Sequence, residues 1–461
     1  MAESKSYLPP EYPLDDADAP IIGALTCALQ SHPMQGASVC VGFSGGIDST
    51  VLLHALWRIL PMFTPEGETT FRLSAVHVHH GIAPVADAWA AFCQDCCARL
   101  DIPLRVVHVQ VARDSGEGLE GAARRQRYDA FVDVEADWLA LAHHRDDQAE
   151  TVLLNLLRGA GVTGAAGMPA TRAAARGPRF WRPLLDLSRK TLLDYANRHG
   201  LTWVDDGSND DRHFRRNFLR HEILPQLETK FPGTDGALAR AAGHFSEAAE
   251  LLADLAVLDL ASVASSQGRI VVQGLARLTP ARAKNLLRYV WANEGFRAPD
   301  ERWINEALKQ LATARPSSEI CMSTADGELH VYRSEVYLRP RSPAVSVEPV
   351  RWTGQVSLPW AGGRVRFNTC LGQGIRHNAL NGAMVRLETR QGGERLKPDV
   401  RRPRRALRKL LQENGVPPWE RVRLPLLWVG DQLAWVGGIG SEADFTCAPG
   451  ETGLLPVWEP D

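Results

Sequence analysis

Apolar and polar positions follow two rhythms along the first half of the chain. Short β-branched runs at 39–43, 73–78, 104–111 and 138–142 read as strands, and between them 49–60, 85–100 and 119–134 carry apolar residues at helical spacing. The strand runs have no polar face, so both sides of the sheet must be covered. The β-α-β-α order then predicts an α/β fold, a doubly wound parallel sheet of roughly 200 residues. Ligands of such a sheet bind beyond the carboxyl ends of its strands. Over 235–260, 280–292 and 301–312 alanine and leucine recur with helical period, which predicts a mainly helical middle domain closed by a hairpin at 328–338. Proline and serine replace the pattern at 339–349, a linker. Beyond it, strands at 356–358, 365–368 and 384–389, a helix at 404–414 stopped by Gly415, and a hairpin at 426–436 turning at Gly430-Asp431 predict a small α+β domain. The expected domains are 1–228, 229–345 and 346–461.

Composition adds exclusions. A chain of 461 residues is long enough for about three domains at roughly 150 residues each, and 44% hydrophobic with 23% charged residues excludes collagen-like, coiled-coil and wholly disordered chains. No apolar run approaches the ~20 residues of a membrane span. The first 20 residues are acidic and proline-bearing rather than cationic and then apolar, so a cytoplasmic protein without membrane attachment is expected. The cysteines at 27, 40, 93, 96, 97, 321, 370 and 447 are too scattered for a disulfide framework and are expected to be reduced. A net charge of -2 provides no global attraction for nucleic acid. A local attraction exists, because Arg401, Arg402, Arg404, Arg405, Arg408 and Lys409 fall within nine positions, and Leu407, Leu410 and Leu411 give that segment an apolar face. It reads either as a phosphate-binding face for RNA or as a solvated basic helix.

The first strand run is followed at once by Ser44-Gly45-Gly46-Ile47-Asp48-Ser49-Thr50 and then by a helix. A glycine turn at a helix N-terminus cradles anions, because the first helical amides are unsatisfied and the dipole favours negative charge. Neither the lysine of a Walker loop nor the G-x-G-x-x-G spacing of a dinucleotide site is present, so kinase and dehydrogenase readings lose. Asp48 among phosphate-binding groups makes sense if a cation such as Mg²⁺ bridges it to the phosphates. The bland alternative is a strand-to-helix turn capped by serines. The S-G-G-x-D-S pattern resembles the loop of the PP-loop ATP pyrophosphatase superfamily. That resemblance implies ATP as co-substrate, its phosphates held by Ser44, Gly45, Gly46, Ile47, Asp48 and Ser49, and attack of a substrate oxygen on the α-phosphate to give an adenylated intermediate.

Three further segments narrow the choice. His143-His144-Arg145-Asp146-Asp147-Gln148-Ala149-Glu150-Thr151 follows the fourth strand and opens a helix with Asp147 and Glu150 on one face. Two carboxylates there can receive an ammonium and take its proton, or hold a metal with the histidines; equally, they are a capping box with aspartate at the N-cap and glutamate at N3. Arg124 and Arg127 share a helical face suited to phosphate, or to solvent. The run from Asp205 to Asp211, then Arg216-Asn217-Phe218-Leu219-Arg220, reads by itself as a capped helix. Together with His77-Val78-His79-His80-Gly81, and with Pro417-Pro418-Trp419-Glu420-Arg421 and Leu424-Pro425-Leu426 near the far end, these segments resemble the tRNA(Ile)-lysidine synthetase family over most of the chain, least between 233 and 350.

That resemblance implies a two-step ligase. ATP adenylates the carbonyl oxygen at position 2 of the wobble cytidine in an isoleucine tRNA with a CAU anticodon, and free lysine then displaces AMP. It implies Asp48 as Mg²⁺ ligand, Asp147 with Glu150 for the lysine amine, and Arg124 and Arg216 for phosphate or cytidine. A rival within the superfamily is a tRNA thiolase holding an iron–sulfur cluster, suggested by Cys93, Cys96 and Cys97, which otherwise read as small buried residues of an amphipathic helix. A non-enzymatic rival is an RNA-binding protein with a nucleotide-sensing loop.

Overall fold

Hydrophobic strands without a polar face need cover on both sides, and the chain supplies it. The computed structural model describes residues 16–32, 36–60, 71–81, 85–111, 118–174, 176–207, 211–315, 320–341, 347–380 and 382–460. The six-stranded sheet is built from β1 (Ala37–Gly42), β2 (Phe71–His79), β3 (Leu104–His108), β4 (Trp138–Ala140), β5 (Thr171–Arg172) and β6 (Arg179–Trp181), in the order β3-β2-β1-β4-β6-β5. All neighbours are parallel except the edge strand β5. Strand order reverses direction between β1 and β4, the switch point at which doubly wound sheets bind ligands.

The helices of this unit are α1 (Ala19–Gln30), α2 (Ile47–Ile59), α3 (Ala86–Arg99), α4 (Gly118–Val132), α5 (Arg145–Leu157), α6 (Val162–Ala165), α7 (Arg189–Arg198), α8 (Arg215–Phe218), α9 (Leu224–Lys230) and α10 (Thr234–Val263), with a π-helical turn at Leu219–Ile223. The side chains of β1 alternate between faces: Val39 and Val41 join Leu25, Leu52, Leu56, Cys93 and Tyr195 in one core, while Cys40 joins Val76, Phe131, Leu139 and Phe180 in the other. Beneath the first core lies a buried charge cluster. Asp18, directly before α1, accepts hydrogen bonds from Arg58 in the last turn of α2 and from Arg198 of α7, both at 2.5 Å, and lies 3.0 Å from His199 Nε2. The third strand ends at His108, three residues short of the expected 111.

The chain divides into two compact units at Asp254 and Leu255, inside α10. In the second unit, helices Pro280–Asn293 and Glu301–Thr313 pack with an antiparallel sheet around Ala256, Leu286, Trp291, Ile304 and Leu329. That sheet, Ile320–Ser323, Gly327–Tyr332 and Glu335–Pro340, extends the expected hairpin by a strand. Residues 342–346 of the expected linker lie outside the described residues. The rest of the unit consists mainly of two antiparallel sheets of five and four strands around Trp360, Val365, Leu387, Leu427 and Trp435.

The basic segment differs from expectation. Its helix spans only Leu407–Glu413, while Arg405–Ala406 pairs as a strand with Arg395–Leu396. The apolar spacing explains this: Leu407, Leu410 and Leu411 are buried with Leu424 and Leu426, and nothing between 401 and 405 offers a core-facing anchor that would extend the helix backwards. Among the described residues no helix is long and apolar enough to cross a membrane.

Candidate active site

The phosphate loop leaves β1 and becomes α2, so its free amides lie at the carboxyl edge of the sheet. Gly45 has φ +85°, and a Cβ there would meet Val204 Cγ2 at 3.0 Å, Cys93 Sγ at 3.1 Å and Phe92 Cδ1 at 3.3 Å. Only glycine satisfies both constraints. The loop is fastened by its own hydroxyls, with Ser49 Oγ and Thr50 Oγ1 each donating to the Gly46 carbonyl at 3.0 Å, and by the Val204 N–H, which donates to the Gly45 carbonyl at 3.0 Å. In the first turn of α2, Asp48 Oδ1 is buried with no hydrogen-bond partner among the described residues.

Opposite stands the start of α5. Its N-cap is His144, and the His144 N–H donates to Asp147 Oδ2 at 3.1 Å, so the cap pairs His144 with Asp147 at N3 and leaves Glu150 in the helix interior, one turn beyond the register expected from sequence. The His144 ring is 2% exposed, with Asp48 Oδ2 3.6 Å and Asp147 Oδ2 3.5 Å from Nε2, and Asp146 Oδ2 3.5 Å from Nδ1. These are charge contacts longer than good hydrogen bonds. Burial works against protonation of this imidazole, but Asp146, Asp48 and Asp147 together outweigh it and raise its pKa to about 10. His143, half-buried with arginines and one aspartate around it, is instead pushed down to about 3, chiefly by loss of solvent.

Two arginines close the site. Arg216 Nε donates to Glu150 Oε2 at 2.7 Å, Arg220 Nε to Oε1 at 2.5 Å, and Arg220 Nη2 to Oε2 at 3.0 Å. Both guanidiniums also reach Asp147 Oδ1, at 3.4 and 3.1 Å. Glu150 is 1% exposed, and Asp147, at 13%, stays ionised despite its burial because His144 and these arginines surround it. At the ends of β2, β4 and β6, His80 Nδ1, His143 Nδ1 and Arg182 Nε are buried without hydrogen-bond partners among the described residues.

Models of three protein families match: the PP-loop domain over residues 24–227, the TilS substrate binding domain over 271–337 and the TilS substrate C-terminal domain over 385–458. The tRNA(Ile)-lysidine synthase of Nitrosomonas europaea is 40% identical over 465 aligned positions, covering 100% of this chain and 98% of the relative. The chain belongs to the tRNA(Ile)-lysidine synthase family. Another tRNA(Ile)-lysidine synthase, from Aromatoleum aromaticum, is 44% identical over 91% of this chain and 97% of its own. A solved U34-tRNA thiolase, NcsA of Methanococcus maripaludis, is similar over 49% of this chain and 78% of its own, with 20% identity and a TM-score of 0.41. As a member of the tRNA(Ile)-lysidine synthase family with a PP-loop domain, the chain is an ATP-dependent enzyme acting on tRNA.

For a tRNA(Ile)-lysidine synthase family member the site residues fall in three groups. Ser44, Gly45 and Gly46 form the loop and Ile47, Asp48 and Ser49 the first turn of α2, and Asp147, Glu150 and Arg216 reach Asp48 through His144. Arg124 is exposed and lies over the Tyr128 ring at 5.4 Å, with Arg172 over the same ring at 5.6 Å. Of the basic segment, Arg402 pairs with Asp399, Arg404 with Glu442 and Asp444, and Arg405 with Glu413. Arg401, Arg408 and Lys409 are exposed and make no ion pair among the described residues. Cys93, Cys96 and Cys97 are packed in the sheet core, and burial pushes the thiols of Cys93 and Cys97 up to about 12, which suits packing and not cluster ligation. Sequence reasoning passed over the central place of His144 and the role of Arg220. The signal for Arg220 was its spacing, one turn beyond Arg216. Ser208, Asn209 and Asp210 of the acidic run lie outside the described residues.

Proposed function

We propose that this enzyme joins free lysine to the wobble cytidine of a CAU-anticodon isoleucine tRNA, consuming ATP and releasing AMP and pyrophosphate in a bacterial-type cytoplasm. The observation that carries the reading is the convergence of Asp48, from the phosphate loop, and Asp147, from α5, on the His144 imidazole: triphosphate and amine sites share one edge of the sheet. In the first step the loop holds the β- and γ-phosphates while the cytidine carbonyl oxygen attacks the α-phosphate, forming an O–P bond and expelling pyrophosphate. In the second, the lysine amine forms a C–N bond at that carbon and AMP leaves with the oxygen.

Asp48 is the Mg²⁺ ligand in this reading, and its buried, unpartnered Oδ1 is an oxygen of the kind that a hard cation takes. When bound, the ion supplies neutralisation of phosphate charge. Lysine arrives as an ammonium and must lose a proton before attack, so Asp147 and Glu150 first bind it and then accept the proton. Both carboxylates are balanced by Arg216 and Arg220, which turn towards phosphate as nucleotide and RNA enter and release the carboxylates to the ammonium. Arg124 contributes to phosphate or cytidine orientation. Residues 1–228 carry this chemistry, while 229–345 and 346–461 hold the tRNA, the latter through Arg401, Arg402, Arg404, Arg405, Arg408 and Lys409.

The test is incubation with ATP, Mg²⁺, labelled lysine and the CAU-anticodon isoleucine tRNA. Acid-stable label in the RNA with matching AMP is expected. AMP formation without label overturns lysine as the nucleophile, and sulfur incorporation in a parallel reaction supplied with sulfide in place of lysine would install the thiolase reading instead.

A further inference from the structure

We propose that Cys321, Glu328 and His330 form a site for a zinc-class divalent cation on the three-stranded sheet of the second unit. In the antiparallel ladder Cys321 lies directly opposite His330 and Ser323 opposite Glu328. Glu328 and His330 are two positions apart on one strand, so the three side chains leave the same face of the sheet. Their donors converge. His330 Nε2 is 2.9 Å from Glu328 Oε2 and 3.9 Å from Cys321 Sγ, and the three ligating atoms all lie within 4.8 Å of one another. Tetrahedral bonds of about 2.0–2.3 Å place neighbouring ligand atoms roughly 3.3–3.6 Å apart, so shifts of about 1 Å complete the set.

One imidazole nitrogen faces both a carboxylate and a thiol, so a single proton cannot link all three groups. A cation satisfies all three. The mixture of thiolate, imidazole and carboxylate selects a borderline metal such as zinc over Mg²⁺ or Ca²⁺, which prefer oxygen alone. The ring is already oriented, since His330 packs against the Trp419 indole with centroids 4.5 Å apart, and Tyr337 packs against the same indole at 5.0 Å. Cys321 is exposed, so the ion enters from solvent and a water takes the fourth position. Loading involves no redox change: the Cys321 S–H bond breaks, its proton goes to solvent and a metal–sulfur bond forms. The bound ion ties strand Ile320–Ser323 to strand Gly327–Tyr332.

The full-length protein, stripped with EDTA and titrated with Zn²⁺, should retain one equivalent through gel filtration, and Co²⁺ in its place should give a thiolate-to-metal charge-transfer band in the near ultraviolet. Cys321→Ser should abolish the band, and Glu328→Gln, which keeps the shape of the side chain, should weaken zinc binding at least tenfold. Cys27→Ser, at another exposed cysteine, should change neither. Zn²⁺ should also slow alkylation of one thiol in the unmutated protein, a readout that survives if a variant fails to fold. The proposal is overturned if the unmutated protein shows no cobalt–thiolate band, or if Cys321→Ser and Glu328→Gln hold zinc as tightly as it does.

Discussion

Exchanging Glu150 for glutamine removes one negative charge from a place where two guanidiniums end, and the structure sets the size of the effect. Three charge-assisted hydrogen bonds reach this carboxylate, which is 1% exposed. Deleting one member of a buried ion pair costs about 3–5 kcal/mol. Two features reduce that here: Arg216 and Arg220 remain 21% and 29% exposed, and Asp147 stays within 3.4 Å of both. Glutamine also keeps one acceptor oxygen, although its amide N–H₂ then faces a donor. The expected loss is about 2–3 kcal/mol, a fall in melting temperature of about 4–12 °C for a unit of this size. Function should divide in a diagnostic way. Pyrophosphate release in the absence of lysine should remain measurable, while transfer of labelled lysine slows by roughly a hundredfold or more, because an amide cannot take the ammonium proton. Thermal unfolding and the two half-reactions, assayed separately, check this. A melting temperature within a degree of the parent would refute the energetic reasoning, and equal loss of both half-reactions would show that Glu150 serves ATP or the fold and not lysine.

Asp48→Ala should abolish pyrophosphate release while leaving tRNA binding by filter retention within a few-fold of the parent, since it removes a cation ligand and no basic surface; unchanged AMP formation would contradict it. Gly45→Ala should do the same for a different reason, forcing a Cβ into Val204, Cys93 and Phe92 at φ +85°, so retained ATP turnover would show that the loop relaxes freely. Neutralising Arg401, Arg408 and Lys409 together should reduce the slope of log affinity against log salt for tRNA by roughly 0.7–0.9 per lost phosphate contact. Arg404→Ala and Arg405→Ala, which also break pairs with Glu442, Asp444 and Glu413, should lower both the melting temperature and the salt slope; an unchanged slope would remove the paired arginines from the RNA contacts.

Local signals carried the first unit. Val39 to Phe43 and the glycine pair after Ser44 are legible because strand, turn and helix start are encoded within a dozen consecutive residues, and β4 announces itself by an unbroken apolar run, β2 by one interrupted at Ser74 and His77. What stayed hidden depends on contacts distant in sequence. Glu150 read as an ammonium-binding or capping carboxylate, and its arginine partners stayed hidden because Arg220 lies 70 positions away, on a π-helical turn that no periodicity reveals. His144 looked like one of two equivalent histidines, and only burial beside three aspartates separates it from His143, whose pKa moves the opposite way. In the third segment the leucine spacing and Gly415 suggested a helix over 404–414, but core-facing leucines begin only at 407, and nothing apolar anchors a turn before them.

The Asp18 cluster gives α2 the character of a strut. The helix starts in the phosphate loop and runs about 20 Å to its other end, where Arg58 is locked to a buried aspartate shared with Arg198 and His199. Sliding the loop along that axis would drag α1 with it or strand a charge away from water, so the loop is braced from a distance by residues that never approach a nucleotide. Stiffness at the catalytic edge of the sheet is thus set in part at its opposite side, and the first helix, with no residue of its own in the site, is part of the frame against which the triphosphate is held.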